Sequence, residues 1–485
     1  MIFTSTTFVF AFLPLAVAGF YLFPARWRVV PLLLASAVFY GWGEPSLVLL
    51  VLAVALVTYT WGLWLARAKS RARRLVLACG IVVVLAPLAI LKYGTFAAGL
   101  VGREAWAHSA HLPLPIGVSF YSFMAVGYLV DVYRDRAARA PRLLDFSAFL
   151  LMFPHLVAGP IVRWSHVGPQ LRAPKFHPGM FGFGSVLVAT GLAKKTVLAD
   201  SLAPFVDTLF GTGKPGSVGA AWLAVVLYAG QIYFDFSAYS DIAIGLAAML
   251  GVHFHDNFRY PYVARSAAEF WRRWHISLGA WFRDYLYIPL GGSRVRPALV
   301  WRNLMIVWAV TGLWHGAAWT FVLWGVYYGV LIGLERFVWG RALERLPRAL
   351  QHAYGLLAML LGWVLFRSEN LTQARDYFAT MFGLGGGSWW DPLAGFTLRR
   401  VWVLLVVCAV LAGGAARPLM DRLRRQSMPL AAREPGSEYN ANAAPPERIT
   451  LSTSVIMVAL VFMGLALATI FLSAVSYSPF IYFRF

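Results

Sequence analysis

The sequence predicts an all-α polytopic membrane protein, and three observations lead there. Of 485 residues, 60% are hydrophobic and only 13% charged, against about 25% charged in a typical soluble domain. The hydrophobicity falls into separate continuous runs, among them Met1–Phe23, Leu47–Ala66, Leu75–Leu91, Val401–Ala412 and Ser452–Leu472. Basic residues gather between the runs, at Arg26 and Arg28, Arg67–Arg74, Arg134–Arg142 and Arg417–Arg425. Most runs approach the roughly 20 residues a spanning helix needs, and Val401–Ala412 must borrow flanking residues. A transmembrane β-strand would alternate apolar and polar every second residue; these runs do not. In lipid a continuous run satisfies its own backbone only as a helix.

The net charge of +21 would suggest nucleic acid in a soluble protein. Here the clusters follow the positive-inside pattern of cytoplasmic loops, so no nucleic-acid partner is expected, and the lipid bilayer is the first partner. Cys79 and Cys408 lie in apolar runs and read as small buried or lipid-facing residues, not a disulfide or metal site.

Taken in order, Met1–Phe23 reads as the first spanning helix, not a cleavable signal, because no basic stretch precedes it while Arg26 and Arg28 follow. That sets the N-terminus outside. The second helix returns outward to Gly43–Pro45. The third comes in to Arg67–Arg74, and the fourth leads out to Lys92–Tyr93 with Gly94–Leu112 outside. Pro113–Val132 leads back to Tyr133–Arg142. From Phe146 to about Gly340 the runs are broken by Gly, Pro, charge and aromatics: Pro154, Gly159 and Pro160 in one run, Asp235 and Asp241 in another, and the polar stretches Asp256–Arg273 and Arg283–Arg302. Such backbone at membrane depth belongs where it is buried in protein or lines a cavity, which makes this central third the functional candidate. The last third returns to simple helices, with a polar cytoplasmic loop at 417–448 carrying Pro435, Pro445 and Pro446. No internal repeat supports an inverted-repeat transporter. The expectation is a single membrane domain, 1–485, of about ten to twelve spanning or re-entrant helices.

Ionisable residues within membrane segments are costly and point to function. His315 sits in Leu304–Leu334, which has no Asp, Glu, Lys or Arg, and Gly312 and Gly316 flank it. A neutral imidazole there can take a proton from an alcohol; the alternative is a structural histidine on a backbone carbonyl. The stretch Phe270–Leu278 with Trp281–Tyr285 is dense in Arg and Trp. It reads either as an interfacial helix with snorkelling arginines or as a mouth for an anionic donor, since Arg pairs well with phosphate. In Gln231–Asp241, Asp235 and Tyr239 share one helical face and Ser237 and Asp241 another, consistent with a polar network joining helices. No phosphate-binding loop and no Gly-x-Ser-x-Gly elbow occurs. His253-Phe254-His255-Asp256 hints at a metal, but histidines at i and i+2 of a helix face apart, so it reads as a loop.

The runs Glu269–Leu278, Trp281–Gly292 and Gly312–Ala317 resemble the membrane-bound O-acyltransferase (MBOAT) family, in particular its bacterial branch acting in alginate O-acetylation. Further matches are Leu114–Tyr121, Phe153–Pro160, Tyr233–Gly245 and Pro479–Phe485. The resemblance implies a ring of helices around a thin central region with a cytoplasmic funnel. It makes His315 the essential histidine and His275 the second. The implied activity moves an acetyl group from a cytoplasmic thioester, acetyl-CoA or a carrier-protein thioester, to a hydroxyl of an exported exopolysaccharide or to periplasmic acetyltransferase or export partner proteins, at the bacterial inner membrane. D-alanyl or peptidoglycan acyl transfer is the alternative, and a transporter or scaffold without chemistry the remaining one. In this reading His315 is the general base. His275, Ser237 or Tyr239 stabilises the oxyanion. Arg272, Arg273, Trp274, Arg283, Asp284, Tyr285 and Trp314 bind the donor, and Asp235, Ser237, Tyr239 and Asp241 support them. No bound cofactor and no metal is required.

Overall fold

The computed structural model describes residues 1–43, 45–100, 115–211, 213–428, 449–474 and 480. Among the described residues the regular structure is helical, and one isolated backbone bridge pairs Ser217 with Ser388. Eight helices are long and apolar enough to cross a membrane: Pro45–Arg67, Arg71–Gly99, Pro178–Gly211, Val218–Met249, Trp319–Arg345, Arg348–Arg367, Pro392–Ala412 and Leu451–Ser473. Three shorter apolar helices, Phe8–Leu22, Val29–Gly41 and Val118–Tyr133, accompany them. Only 17% of the apolar window of Leu451–Ser473 is buried, against 72% for Val218–Met249. The first therefore offers its sides to lipid, while the second is core.

The chain divides into two compact units. One comprises Met1–Ala193, Ala238–Asp256 and Leu419–Ser476. Close helix approach in it rests on small residues, the usual device where lipid supplies no hydrophobic drive. A Cβ on Gly184 would stand 2.6 Å from the Gly245 carbonyl oxygen, and one on Gly464 2.8 Å from that of Ala189.

The other unit comprises Lys194–Ser237, Asn257–Pro418 and Tyr477–Phe485. Its centre is an antiparallel hairpin, Pro297–His315 and Trp319–Leu334. The apolar stretch Leu304–Leu334 is thus cut directly after His315, where Gly316 turns extended. The two helices meet backbone to backbone: a Cβ on Gly312 would stand 2.2 Å from the Phe321 carbonyl oxygen, and one on Gly325 2.1 Å from that of Trp308.

Three expectations change. Met1–Phe23 is not one full-length span: its apolar helix is Phe8–Leu22, opening in a π-helical turn over Phe8–Phe12. The fourth helix does not end at Lys92–Tyr93 but continues to Leu100, carrying Pro87 inside it, and 101–114 lies outside the described residues. The polar segment expected as a loop from Arg417 is helical over Arg417–Ser427. Its charged residues alternate with Leu419, Met420 and Leu423 at helical spacing, and Leu423 is buried. Its remainder, 429–448, is outside the described residues.

Candidate functional site

Within the second unit, the stretch that sequence singled out for its arginines and tryptophans breaks into two short helices, Ala267–Arg273 and Ile276–Phe282. Ser266 caps the first by accepting from the Glu269 N–H at 3.0 Å, the Ser-x-x-Glu start signal. A second cap comes from afar: the Glu335 carboxylate accepts the Ala267 and Ala268 N–H groups at 2.6 and 2.9 Å, and the Tyr354 hydroxyl at 3.0 Å. A carboxylate at a helix N-terminus satisfies orphan donors and meets the positive end of the dipole.

Between the two helices stands His275, in left-handed backbone at φ 46°. Non-glycine residues in that region are strained and cluster at functional sites. Its ring is 1% exposed and edge-on to Phe236 at 4.7 Å. Nδ1 lies 3.2 Å from Asn257 Oδ1. The same oxygen accepts from the Ser277 backbone N–H at 3.2 Å and the Ser277 hydroxyl at 2.9 Å. A backbone N–H can only donate, so the amide orientation is fixed and the Asn257 atom is an acceptor. Nδ1 therefore carries the ring proton. Nε2 has no hydrogen-bond partner among the described residues and presents a lone pair. Burial pushes the ring down to about 3, so it is neutral at physiological pH. The tautomer makes Nε2 a proton acceptor, which tells against the oxyanion-donor role suggested for His275 from sequence.

His275 forms part of the wall of a cavity of about 400 Å³. Trp271, Trp308 and Thr311 line it as well, and so do three arginines, Arg272, Arg283 and Arg336. Arg336 belongs to the π-helical turn Glu335–Trp339 that continues the hairpin, and its guanidinium donates to Ser293 Oγ at 3.0 Å. Arg283 is held by its neighbour Asp284 through contacts of 2.7 and 3.1 Å. Arg273 is absent from the wall; it pairs with Glu269 at 2.9 Å and donates to the Arg259 carbonyl. Trp274 packs inward, 5.0 Å from Trp363 and 5.0 Å from Phe258. Tyr285 packs on Trp281 at 5.2 Å.

His315 is 4% exposed and closes its helix. Its ring lies among aromatics: Trp314 at 4.8 Å, Trp324 at 5.0 Å and Phe366 at 5.2 Å. Trp314 is also 6.1 Å from His275, so one indole neighbours both imidazoles. The cavity wall contains His275 but not His315.

Of the polar set on Val218–Met249, Asp235 and Ser237 fall in the second unit, Tyr239 and Asp241 in the first. Asp235 pairs with Lys195 at 2.7 Å, and Lys195 also holds Asp200 at 2.6 Å. Tyr239 packs 4.6 Å from Phe3. Sequence reasoning missed Lys195, Arg336, Ser293 and Asn257. Lys195 could have been suspected, as a cation inside the apolar helix Pro178–Gly211 needs a counter-charge; the others carry no local signal.

Residues 73–352 match the family described as MBOAT, membrane-bound O-acyltransferase. The chain is 38% identical to the probable alginate O-acetylase AlgI of Azotobacter vinelandii and 37% identical to that of Pseudomonas aeruginosa, each over the full length of both chains. It is 32% identical to the peptidoglycan O-acetyltransferase of Helicobacter pylori, over 80% of this chain and 81% of that one.

Proposed function

The chain belongs to the membrane-bound O-acyltransferase family, a multi-pass O-acyltransferase, and from that premise we propose that it transfers an acetyl group from acetyl-CoA to a hydroxyl of an exported polysaccharide. The observation that carries the donor assignment is the cavity with Arg272, Arg283 and Arg336 in its wall. Guanidinium groups suit the phosphates of a nucleotide thioester, and the apolar wall of Trp271 and Trp308 suits its pantetheine arm. The relatives' names favour an alginate-like exopolysaccharide as acceptor, with peptidoglycan next. The bacterial inner membrane with an external N-terminus, and delivery to periplasmic partner proteins, belong to the same reading.

In the step proposed, the acceptor hydroxyl gives its proton to the His315 imidazole while its oxygen attacks the thioester carbonyl. The tetrahedral intermediate collapses, the C–S bond breaks, and the thiolate recovers the proton from His315. Trp314, beside both imidazoles, limits where the carbonyl can sit. Asn257 keeps Nε2 of His275 free to accept a proton, and that favours a second reading in which His275 is the base and His315 its packed neighbour.

Single variants His315→Ala and His275→Ala separate the two. Loss of the general base costs about 10²–10⁴ in rate. The proposal expects His315→Ala to abolish polymer acetylation at unchanged membrane abundance, with His275→Ala weaker. Abolition by His275→Ala alone exchanges the roles. Normal acetylation in both variants defeats the assignment.

A further inference from the structure

Three histidines meet in the first unit. His253 and His255 lie on the non-helical segment after Val218–Met249, and His166 on the helix Trp164–Leu171. The objection that i and i+2 histidines diverge applies to a helix; on this segment they converge. His166 Nε2 stands 3.4 Å from His253 Nδ1. The His166 and His255 rings stack at 4.2 Å, and one ligand nitrogen from each of the three lies within 4.8 Å of the others. We propose that His166, His253 and His255 bind a divalent first-row metal ion of the zinc class, three imidazoles and one water.

Distances and chemistry agree. Imidazole nitrogens bind zinc at 2.0–2.1 Å in a tetrahedron, which places ligand atoms about 3.3–3.4 Å apart. One pair already has that separation, and the ligand atom of the third ring lies within 4.8 Å of both. The frame is built in advance. Gln170 grips His253 from both sides, its Oε1 accepting the His253 N–H at 2.8 Å and its Nε2 donating to the His253 carbonyl at 3.4 Å. Without metal, His166 Nε2 also contacts that carbonyl at 3.0 Å. A metal replaces the proton there, and Gln170 keeps the carbonyl satisfied. Ligand orientation through such neighbours is typical of metal sites. Burial, with repulsion among the three rings, holds His166 and His253 well below the usual histidine range, so both are neutral ligands. The nearby charges are Arg163, Arg424 and Asp256. Arg424 and Asp256 form a close ion pair with both guanidinium nitrogens engaged. The fully coordinated ion fastens the Trp164–Leu171 helix to the His253–Asp256 segment. Three imidazoles with an open fourth position also resemble a hydrolytic centre, but the role inferred is binding.

The test uses the full chain purified in detergent on an affinity tag free of histidine. The protein is stripped with EDTA, incubated with Zn²⁺ and desalted, and zinc is measured by elemental analysis. The expected result is one zinc per chain, reduced at least tenfold in both His255→Ala and His166→Asn. Less than one in ten chains loaded, or equal loading in the variants, overturns the proposal. If neither variant can be purified, Co²⁺ added to the stripped wild type decides. Intense visible bands of four-coordinate cobalt support the site, and only the weak absorption of hydrated cobalt overturns it.

Discussion

Gly312 is where a single methyl group should do most to the chemistry without touching it. A Cβ there would stand 2.2 Å from the Phe321 carbonyl oxygen and 3.3 Å from the Gly325 Cα. The close neighbour is backbone, so no side chain can swing away. Restoring ordinary contact at 3.4 Å requires the two helices to separate by about 1.2 Å, because packed interiors transmit strain instead of absorbing it. His315 follows three residues later on the same rigid helix. A displacement of about 1 Å at a reacting group costs on the order of 10²-fold in rate, while overpacking costs about 1–3 kcal/mol of stability. Gly312→Ala should therefore insert in the membrane yet lower acetyl transfer about a hundredfold. The assay is acetyl content of the surface polymer against time, at matched membrane abundance, with Gly19→Ala as control because a Cβ there meets nothing within 4 Å. If Gly312→Ala and Gly19→Ala acetylate at the same rate, the hairpin does not position the histidine in the way argued.

Other outcomes follow from the same structure. Arg336→Ala removes one cation from the cavity and its contact to Ser293. A charge-assisted hydrogen bond is worth about 1.5–3 kcal/mol, so KM for acetyl-CoA should rise roughly tenfold or more with kcat nearly unchanged; a kcat loss at constant KM contradicts a donor-binding role. Lys195→Met removes the cation that stands 2.6 Å from Asp200 and 2.7 Å from Asp235. Breaking a buried pair from one side costs about 3–5 kcal/mol, readable as a large fall in the detergent melting temperature; an unchanged melting temperature rules the ion pair unimportant. Acid stability carries a sign. Burial depresses His155, His253 and His275 to about 3 and His166 to about 4, whereas an unfolded histidine titrates near 6.5. The unfolded chain binds protons first, so stability is complete above about pH 6.5 and falls as pH drops toward 4. Melting curves across that window should slope downward, and a flat profile would contradict neutral buried histidines.

How far the sequence could be read depends on the range of the interaction. The spans were legible because lipid imposes a local rule: Leu47–Ala66 became Pro45–Arg67 and Ser452–Leu472 became Leu451–Ala474. The break after His315 was not foreseen, because Leu304–Leu334 reads as one continuous apolar stretch and the turn at Gly316 is set by packing of the two helices. The cavity wall was half legible, since Arg272, His275 and Arg283 lie in one stretch whose composition announces it. Arg336 and Ser293 are brought in by tertiary folding, which no spacing encodes. Arg273 is engaged by Glu269 and Arg283 by Asp284, pairings between near neighbours that composition alone does not single out. His253 and His255 lie on a loop as read from sequence, but His166, 87 residues earlier, was out of sight.

Glu335 joins two pieces of machinery. It rides on the outgoing arm of the hairpin that ends in His315, yet its two carboxylate oxygens grip the start of the helix that delivers Arg272 and leads to His275. The arm that follows His315 is thereby tied to the start of the helix that leads to His275. Arg336 follows Glu335 on the same turn, so any tilt of that arm carries a cation of the cavity wall along with the cap.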